Sequence, residues 1–359
     1  MKMLLVLGTR PEIIKCSPII RKCERLSLDY SILHTGQHYS YDMDKVFFEN
    51  LELQDPKYKL DTGSGCHGAQ TGKMLIGIEK VLKKEKPDVV LVQGDTNTAL
   101  AGARAAAKLH IKVGHVEAGL RSFDQTMPEE VNRVLVDHCS DYLFAPTELS
   151  KRNLLNEGIP EKRVHVVGNT IVDVITQNLN VSKYKINVLK ELNLTPDNYF
   201  LVTIHRQENV DNGKKFKDVI DGLTKVSDEF GLPLIYPIHP RSKKQMEKFN
   251  LKQKTIRFID PIDFLSFLQL ESNAKLVLTD SGGVQEETCI LGVACVTLRD
   301  NTERQETLEV GCNILAGTNP DKILECTKIM VTTKKGWKNP FGDGNSGKKI
   351  VEKLLGSQL

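Results

Sequence analysis

The stretch VVLVQGDTNTALAGARAAAKLH, residues 89–110, decides the fold class of this chain. It opens with a short apolar run that ends at Gly94 and Asp95, and an alanine-rich segment with helical spacing follows. A strand that is apolar on both faces belongs in a parallel sheet that helices cover on both sides. The stretch therefore predicts one strand–helix unit of an α/β domain.

The same alternation recurs in both halves of the chain. In the first half the predicted strands are MLLVLG (3–8), YSILHTG (30–36), VVLVQGD (89–95), KVGHVEAG (112–119), YLFAPT (142–147) and VHVVGN (164–169). In the second half they are YFLVTIH (199–205), PLIYPIHP (233–240), IRFIDP (256–261), KLVLTD (275–280), ACVTLRD (294–300) and CNILAG (312–317). The segment 178–198 between them is polar and lacks a buried strand.

Two domains are also what the length predicts, since 359 residues exceed the roughly 100–200 residues of one domain. We expect an N-terminal Rossmann-like domain at 1–177, joined by the C-terminal helix at 345–359, and a second Rossmann-like domain at 178–344. Both are doubly wound α/β domains, and we expect the ligand in a cleft between them.

Composition excludes several classes of protein. The 49 Lys+Arg and 46 Asp+Glu residues give a net charge of +3, which argues against a nucleic-acid partner. No stretch approaches the roughly 18–20 apolar residues of a membrane span, and the N-terminus is typical of a buried strand rather than a signal peptide. The eight cysteines form no C-x-x-C pair. We therefore expect a cytoplasmic protein without a metal site.

The candidate site residues follow the predicted strands, because ligands of open parallel sheets bind beyond the carboxyl ends of the strands. A lone Asp in such a place is most often a helix N-cap. The accumulation of cations and acids at the same strand ends favours a site instead. These residues include Arg10, Lys15, Asp95, Glu117, Glu129, His205 and Arg304.

The turn Ser281-Gly282-Gly283 is typical of a pyrophosphate site, since two glycines let the backbone approach a ligand at a helix N-terminus. No G-x-G-x-x-G follows a strand and no G-x-x-x-x-G-K-[ST] is present, which disfavours a nicotinamide dehydrogenase or an NTPase. With Glu287 placed to accept hydrogen bonds from ribose hydroxyls, the turn indicates a nucleoside diphosphate that carries another group.

The motifs resemble those of the non-hydrolysing UDP-N-acetylglucosamine 2-epimerases, in family order over nearly the whole chain. They are GTRPEIIK (8–15), GDTNT (94–98), GHVEAGLR (114–121), MPEEVNR (127–133), HRQEN (205–209), TDSGGVQEE (279–287) and TER (302–304). The resemblance implies a two-domain fold of the glycosyltransferase-B type, a homodimer, and interconversion of UDP-GlcNAc and UDP-ManNAc for surface polysaccharide or glycan synthesis. Hydrolysing relatives typically have GTRAE and GDR, where this chain has GTRPE and GDT.

The resemblance also implies a mechanism and residue roles. UDP leaves C1, C2 loses its proton to give 2-acetamidoglucal, and UDP adds back after reprotonation from the other face, without a metal or another cofactor. We assign proton transfer to Asp95 and Glu129, orientation of the sugar to Glu117, and a diphosphate contact to His205. Phe267 is either a uracil-packing residue or plain helix core. The implied substrate-binding residues are Arg10, Lys15, Arg133, His205, Phe267, Ser281, Gly282, Gly283, Glu287 and Arg304.

Some features leave alternatives open. Gln305 replaces a family proline, and the segments TGQHYSYDMDKVFFENL and SFDQTMPEEVNR also resemble sister epimerases of modified UDP-HexNAc sugars. A glycosyltransferase of the same fold and a catalytically silent nucleotide-sugar sensor are the alternatives from other classes. Family members from bacteria bind a second UDP-GlcNAc as an allosteric activator. Here that site would involve Gln37 and His38, with Gln70 and Lys73 nearby.

Overall fold

Two parallel sheets form the framework of the chain in a computed structural model, which describes residues 1–37, 41–251 and 253–356. The chain divides into two compact units. The first contains Met1–Val174 and Phe341–Leu359, and the second contains Ile175–Pro340. The boundaries predicted from composition, at 177 and 344, lie a few residues further along the chain.

The first unit holds strands β1 (Lys2–Leu7), β2 (Asp29–His34), β3 (Tyr58–Lys59), β4 (Val89–Gln93), β5 (Lys112–Val116), β6 (Tyr142–Ala145) and β7 (Val164–Val166). The second unit holds β8 (Phe200–Thr203), β9 (Leu234–Pro237), β10 (Ile256–Ile259), β11 (Leu276–Thr279), β12 (Cys295–Thr297) and β13 (Asn313–Leu315).

Helices connect these strands. The chain order up to the second unit is α1 (Arg10–Arg25), α2 (Tyr41–Asn50), α3 (His67–Glu85), α4 (Asn97–Lys108), α5 (Pro128–Cys139), α6 (Glu148–Asn156), a short 3-10 helix (Glu161–Arg163) and α7 (Thr170–Lys185). The remaining helices are α8 (Val188–Glu191), α9 (Gln207–Val210), α10 (Gly213–Phe230), α11 (Pro240–Lys248), α12 (Phe264–Ser272), α13 (Gly282–Leu291), α14 (Gln305–Glu309), α15 (Pro320–Thr332) and α16 (Ser346–Gly356).

Both sheets reverse their strand order once. The first sheet has the order β3-β2-β1-β4-β5-β6-β7, and the second has β10-β9-β8-β11-β12-β13. The pairs at the reversals are parallel, with Leu4 opposite Val90 and Leu201 opposite Val277. The predicted α/β class with doubly wound sheets is therefore confirmed. Ligands of such sheets bind outside the carboxyl ends of the strands at the reversal.

The central strand of the first sheet is buried on both faces because its side chains alternate between two cores. Met3, Leu5 and Leu7 join a cluster that includes residues of α1 and α16. Leu4 and Val6 join the cluster on the opposite face, with residues of α3 and α4. The carboxyl end of β1 is thereby held rigidly, and so is the turn that follows it.

The second sheet is built in the same way. Phe200 and Val202 of β8 lie in one core with residues of α10 and α15. Tyr199 and Leu201 face the other core, to which α12 and α13 contribute. The N-terminus of α13 therefore lies at the carboxyl end of a central strand, β11, in a sheet that is covered on both faces.

The C-terminal helix belongs to the first unit. Ile350, Val351 and Leu354 of α16 are buried in the same core as residues of α1. The helix begins where Asp173 accepts hydrogen bonds from the backbone of Ser346 at 3.1 Å and Gly347 at 2.9 Å. A buried carboxylate at a helix N-terminus satisfies two of its unpaired N–H groups.

Candidate active site

Glu117 follows β5 and is anchored through both carboxylate oxygens. Its Oε1 forms an ion pair with Lys15 Nζ and accepts a hydrogen bond from Asn169 Nδ2 at 2.9 Å. Its Oε2 accepts from Gln93 Nε2. Both Lys15 and Glu117 are buried, and Glu117 has a φ of +70°. A non-glycine residue in the left-handed region is strained, and such strain is concentrated at functional sites.

Asp95 is the second residue after the end of β4 and is held by two residues of α5. Arg133 Nη2 contacts Asp95 Oδ2, and Asn132 Nδ2 donates to the Asp95 carbonyl at 2.9 Å. Arg133 also binds Glu130 at 2.6 Å. The Arg133 guanidinium is buried between two carboxylates and fixes the side chain of Asp95, whereas Asn132 fixes the Asp95 backbone.

The two acids in the first turn of α5, Glu129 and Glu130, have different surroundings. Glu130 is buried and accepts hydrogen bonds from the backbone of Ser122 and Phe123, which closes the preceding loop. Glu129 is half-buried in the first turn of α5. No hydrogen bond or ion pair joins Glu129 to another residue in the described part of the chain, so its carboxyl group is available to a ligand.

The turn before Asp95 is fixed by a histidine that the sequence analysis did not assign. His115 Nε2 donates to the carbonyl of Gly94 at 2.8 Å, and His115 Nδ1 lies 2.7 Å from Asp137 Oδ1. Gly94 has a φ of +69°, which favours glycine. His115 and Asp137 are both fully buried. Together they hold in place the backbone of Gly94, which directly precedes Asp95.

Asp137 also ties down the segment after Glu117. Its Oδ2 accepts from the backbone N–H of Gly119 at 3.2 Å and pairs with Arg121 Nη1 at 2.8 Å. Burial by itself would raise the pKa of Asp137, but the adjacent His115 ring and Arg121 guanidinium outweigh burial and hold this pKa below its ordinary value.

Glu12 is a second residue without an assigned role in the sequence analysis. Its carboxylate accepts from the backbone N–H groups of Gly8 and Thr9, both at 2.7 Å, and from Thr96 Oγ1 at 2.6 Å. It therefore joins the turn after β1 to the turn after β4. Burial raises the pKa of Glu12 to about 7, although these hydrogen bonds oppose the rise.

Arg10 is the first residue of α1 and stays half-buried. Its guanidinium carbon lies 5.0 Å from the centre of the Phe47 ring, an arrangement that orients the side chain. Arg10 therefore lies oriented just after the carboxyl end of β1.

In the second unit, buried Asp280 after β11 organises the loop after β8. Its oxygens accept from the backbone N–H groups of His205 at 3.1 Å and Arg206 at 3.0 Å, and from Asn209 Nδ2 at 3.1 Å. His205 Nδ1 lies 3.5 Å from Asp280 Oδ1, while the His205 side chain is 47% exposed. The imidazole is thus oriented from one side and open on the other.

The turn Ser281-Gly282-Gly283 forms the N-terminus of α13. Ser281 is the N-cap residue, and its side chain makes no capping hydrogen bond to the helix. A β-carbon on Gly282 would lie 2.3 Å from Glu303 Oε1, so a larger residue there requires the Glu303 side chain to move. The first N–H groups of a helix without a capping side chain are well suited to bind an anion.

The acids and arginines near this turn form a buried network. Glu303 binds Arg206 at 3.1 Å and Arg299 at 3.0 Å. Arg304, the N-cap of α14, is buried and pairs with Glu286 at 2.5 Å. The ion pair therefore joins the start of α14 to α13, and Arg304 also lies near the predicted anion site.

Glu287 and Phe267 lie in the same unit as the α13 N-terminus. A β-carbon placed on Gly283 would lie 3.9 Å from both Ser281 Oγ and Glu287 Oε1, so the Glu287 carboxyl group reaches back to the helix N-terminus. Phe267 is half-buried against the core shared by α12 and α13. This position is compatible with either role predicted for Phe267.

Two of the residues predicted for a second nucleotide-sugar site, Gln37 and Gln70, belong to one polar cluster. Gln37 accepts from Thr98 Oγ1 at 2.8 Å, and Gln70 Nε2 donates to the Gln37 carbonyl at 2.6 Å. Gln70 is linked to Asn97 at 2.8 Å. Lys73 is exposed on α3, and His38 lies outside the described residues.

Comparison with known proteins identifies the family. A family model described as UDP-N-acetylglucosamine 2-epimerase matches residues 21–355. The chain belongs to the UDP-N-acetylglucosamine 2-epimerase family. It is 59% identical over 361 residues to a UDP-N-acetylglucosamine 2-epimerase of Methanocaldococcus jannaschii, with 99% of each protein covered. This family member is therefore an epimerase, and the predicted enzyme class, isomerase, is confirmed.

Two further relatives bear on structure and substrate. A crystal structure of the Methanocaldococcus jannaschii UDP-GlcNAc 2-epimerase in complex with UDP-GlcNAc and UDP has a TM-score of 0.95 to this epimerase, at 59% identity and 99% coverage of both chains. A UDP-2,3-diacetamido-2,3-dideoxy-D-glucuronate 2-epimerase of Pseudomonas aeruginosa is 40% identical over 358 residues, with 99% of each protein covered. The roles of individual residues in this epimerase stay predictions.

The described residues contain neither a candidate metal cluster nor a candidate membrane span. Within 1–37, 41–251 and 253–356, no three His, Cys, Asp or Glu side chains lie together as a metal site would require. None of the helices described is both long and apolar enough to cross a membrane.

Proposed function

We propose that this epimerase interconverts UDP-N-acetylglucosamine and UDP-N-acetylmannosamine by inverting C2 of the sugar. The observation that carries the proposal is the pair of anchored carboxylates, Asp95 and Glu117, after neighbouring strands β4 and β5. They occur in a chain that is 59% identical along its length to a protein with this activity in its name. Carboxylates fixed by separate cations, Arg133 and Lys15, suit a site in which one acid, Glu117, orients the sugar and another, Asp95, transfers a proton.

The chemistry proceeds by elimination and re-addition. The proton on C2 is not next to a carbonyl group, so direct abstraction is unfavourable. The C1–O bond breaks first and its electrons leave with UDP, then C2 gives its proton to a carboxylate and the C1–C2 double bond of 2-acetamidoglucal forms. A second carboxyl group protonates C2 from the opposite face, and UDP adds back to C1. Atoms and charges balance without an oxidant or reductant.

Differences in anchoring support the division of labour among the acids. Glu117 uses both oxygens to accept hydrogen bonds from Lys15, Gln93 and Asn169, so we assign it to orient the sugar. Asp95 is partly exposed, and Glu129 is half-buried in the first turn of α5. We assign proton transfer to Asp95 and Glu129, because a proton carrier needs direct access to its substrate.

The departing diphosphate is assigned to the N-terminus of α13, where Ser281, Gly282 and Gly283 present backbone N–H groups. Such groups stabilise negative charge as it develops and need no reorganisation. His205, whose side chain is 47% exposed, and Arg10 are assigned cationic or hydrogen-bonding contacts to the diphosphate. Lys15 and Arg304 are buried and ion-paired, so their proposed contribution combines positive charge with anchoring of Glu117 and Glu286.

The uridine is assigned to Phe267 and Glu287. Phe267 offers a half-buried aromatic face for the uracil ring, and Glu287 offers carboxylate oxygens to the ribose hydroxyls. Glu287 belongs to α13 itself and Phe267 to α12, which packs against the same core, so we assign one nucleotide to all three features.

The test is incubation with UDP-GlcNAc in D₂O followed by NMR of the products. Deuterium at C2 with intact UDP-ManNAc supports the proposal. Release of free ManNAc with UDP would mean hydrolysis instead, and turnover only with an added sugar acceptor would mean a glycosyltransferase. Binding without any turnover would favour a nucleotide-sugar sensor.

A second candidate substrate is a modified UDP-HexNAc sugar. The 40% identical Pseudomonas aeruginosa relative, named for a diacetamido glucuronate, favours this candidate. Competition in one reaction distinguishes the two: the preferred sugar is the one with the higher kcat/KM when UDP-GlcNAc and UDP-2,3-diacetamido-2,3-dideoxy-D-glucuronate are mixed.

The wider context is proposed on the same basis. We place the protein in the cytoplasm as a homodimer that supplies ManNAc-type sugars for surface polysaccharide or glycan, and light scattering tests the dimer. A second UDP-GlcNAc bound near Gln37 and Gln70 would act as an activator. Linear initial rates with pure UDP-ManNAc and no added UDP-GlcNAc would count against this activator.

A further inference from the structure

His115 of β5 uses both nitrogens of its ring, although no step of the proposed reaction involves it. Nε2 lies 2.8 Å from the carbonyl oxygen of Gly94, and Nδ1 lies 2.7 Å from Oδ1 of Asp137 on α5. The side chains of His115 and Asp137 are completely buried. Each nitrogen must therefore be satisfied by the atom that faces it.

Both of the facing atoms are hydrogen-bond acceptors. A carbonyl oxygen has no proton, so Nε2 carries the proton of its bond to Gly94. An ionised carboxylate likewise only accepts, and a ring with one proton would turn an unprotonated Nδ1 towards Asp137. Two lone pairs 2.7 Å apart repel each other. The contact between Nδ1 and Oδ1 must therefore contain a second proton.

The second proton belongs to the ring because the other partners of Asp137 favour an ionised carboxylate. Oδ2 of Asp137 accepts from the backbone N–H of Gly119 at 3.2 Å and pairs with Arg121 Nη1 at 2.8 Å. Burial by itself raises the pKa of Asp137, but the His115 ring and the Arg121 guanidinium lower it below its ordinary value. Asp137 is thus the acceptor, and both nitrogens of His115 are donors.

The charges around the ring balance when it carries two protons. The register neighbours of His115 in the sheet, Val92 and Leu143, are apolar. The charged side chains that are linked to the ring through ion pairs are those of Asp137, Arg121 and Glu157. Two cations then face two carboxylates, whereas a ring with one proton would leave a negative charge in excess. A buried charge without a partner is costly.

The Gly94 carbonyl connects the ring with the proposed proton carrier. Gly94 has a φ of +69° and directly precedes Asp95. Hydrogen bonds from a charged donor are roughly twice as strong as those between neutral groups. A doubly protonated ring therefore ties the turn before Asp95 firmly to Asp137 of α5.

We propose that His115 is a positioning residue whose ring holds two protons, one that fixes the turn at Gly94 and Asp95 and one that binds Asp137. His115 touches no substrate in this role and acts through the backbone that carries Asp95. The proposal rests on the proposed function through the assignment of proton transfer to Asp95.

The two protons can be observed by ¹⁵N NMR of the full-length protein with labelled histidine rings, since protonated and unprotonated ring nitrogens give distinct signals. At pH 7.5 we expect both nitrogens of His115 to be protonated, with the signals assigned by their absence from His115→Phe or His115→Gln. Burial lowers the pKa of His165, so its ring is the internal reference for a neutral histidine. In Asp137→Asn the amide can donate to Nδ1, and we expect this nitrogen to lose its proton.

Kinetics test the positioning. We expect His115→Phe to lower kcat by about tenfold to a hundredfold, the usual effect of losing a hydrogen bond from a charged group, while the Kd of UDP changes by less than about twofold. Asp137→Asn keeps the bond from Nε2 to Gly94, and its carbonyl oxygen can accept from Gly119 and Arg121. We therefore expect its kcat to stay within about fivefold of the wild type.

His138→Phe is the matched control for the ring substitution. His138 is exposed on the same helix as Asp137 and lies 3.6 Å from Glu157. It makes no hydrogen bond to the Gly94 turn in the described part of the chain, so its kcat should change by about twofold or less.

Several outcomes would overturn the proposal. They are an unprotonated Nδ1 in the wild type, a protonated Nδ1 in Asp137→Asn, a wild-type kcat in His115→Phe, and a loss in Asp137→Asn as large as in His115→Phe. Circular dichroism establishes that each variant is folded, and the spectra of the wild type and Asp137→Asn test the proposal even if His115→Phe does not fold. The spectra need no turnover, so failure of the wild type to epimerise in D₂O is a separate result that tests the proposed function alone.

Discussion

Lys15 of α1 and Glu117 after β5 form a buried ion pair, although they are 102 positions apart in the chain. Each side chain is less than a tenth exposed. The pair joins the first helix of the fold to the strained residue at the carboxyl end of β5. Removing one partner of a buried ion pair leaves the other charge buried and uncompensated.

Lys15→Met is therefore expected to destabilise the fold. We expect the free energy of unfolding, measured with guanidinium chloride, to fall by about 3–5 kcal/mol, because Glu117 loses its cation. The double variant Lys15→Met/Glu117→Gln should regain much of that loss, since neither charge remains, yet stay inactive. Lys83→Met removes one partner of an exposed pair and is the control, with a change of about 0.5 kcal/mol or less. Equal effects at positions 15 and 83 would contradict the prediction.

Exchange of the C2 hydrogen with D₂O tests the proton carriers. We expect Asp95→Asn and Glu129→Gln each to slow this exchange by about 10²–10⁴-fold, the usual contribution of an acid–base group. Glu117→Gln should raise KM for the nucleotide sugar as well, because the sugar loses its orienting contact. Glu79→Gln, an exposed position on α3, serves as the unchanged control. Full exchange in both the position 95 and position 129 variants would rule out the assignment.

The titration of Glu12 is expected to appear in the pH dependence of stability. The pKa of Glu12 is about 7 in the folded chain, against an ordinary value of 4.5. The folded state therefore binds more protons between these two pH values, and stability falls as pH rises through this window. The total effect is about 3 kcal/mol. Glu12→Gln removes it, so the free energy of unfolding of the variant relative to wild type should rise from pH 5 to pH 8.

The glutamine can keep the local contacts in this comparison. Its carbonyl oxygen can accept from the backbone of Gly8 and Thr9, and its amide can donate to Thr96 Oγ1. Unfolding curves at pH 5 and pH 8 supply the measurement, with Glu79→Gln as the exposed control. Parallel pH profiles for wild type and Glu12→Gln would show that Glu12 is already ionised at pH 5 in the folded chain.

Gly282→Ala is expected to weaken UDP binding by tenfold or more. Its β-carbon would lie 2.3 Å from Glu303 Oε1, so Glu303 must move and release Arg206 and Arg299. Gly283→Ala is the control for folding, because its β-carbon meets side-chain atoms only at 3.9 Å. Calorimetric Kd values and melting temperatures are the measurements. An unchanged Kd and melting temperature in Gly282→Ala would mean that Glu303 yields without cost.

The strand–helix alternation and the strand-end motifs could be predicted from the sequence because they are local. An apolar run such as residues 89–93 predicts a strand that is covered on both faces. Gly94 and Asp95 directly follow this run, so they were expected at the end of the strand. The two-residue strand β3 was not predicted, since Tyr58 and Lys59 carry no apolar pattern. Its pairing with β2 depends on the neighbouring chain.

Supporting residues were harder to predict because their partners are distant in sequence. Glu12 had a local signal, the Thr9-x-x-Glu12 capping pattern, but its contact with Thr96 depends on the adjacency of β1 and β4. Asp137 resembles any polar residue of an amphipathic helix until its contacts with His115 and Arg121 are seen.

The sequence by itself determined the α/β class, the strand ends and the chemical types gathered there, because periodicity and turn residues act over a few positions. Only the tertiary structure decided the pairing of charges: Lys15 with Glu117, Arg133 with Asp95, and Arg304 with Glu286. Electrostatic interactions depend on distance in space and on burial, and neither is readable from separation along the chain.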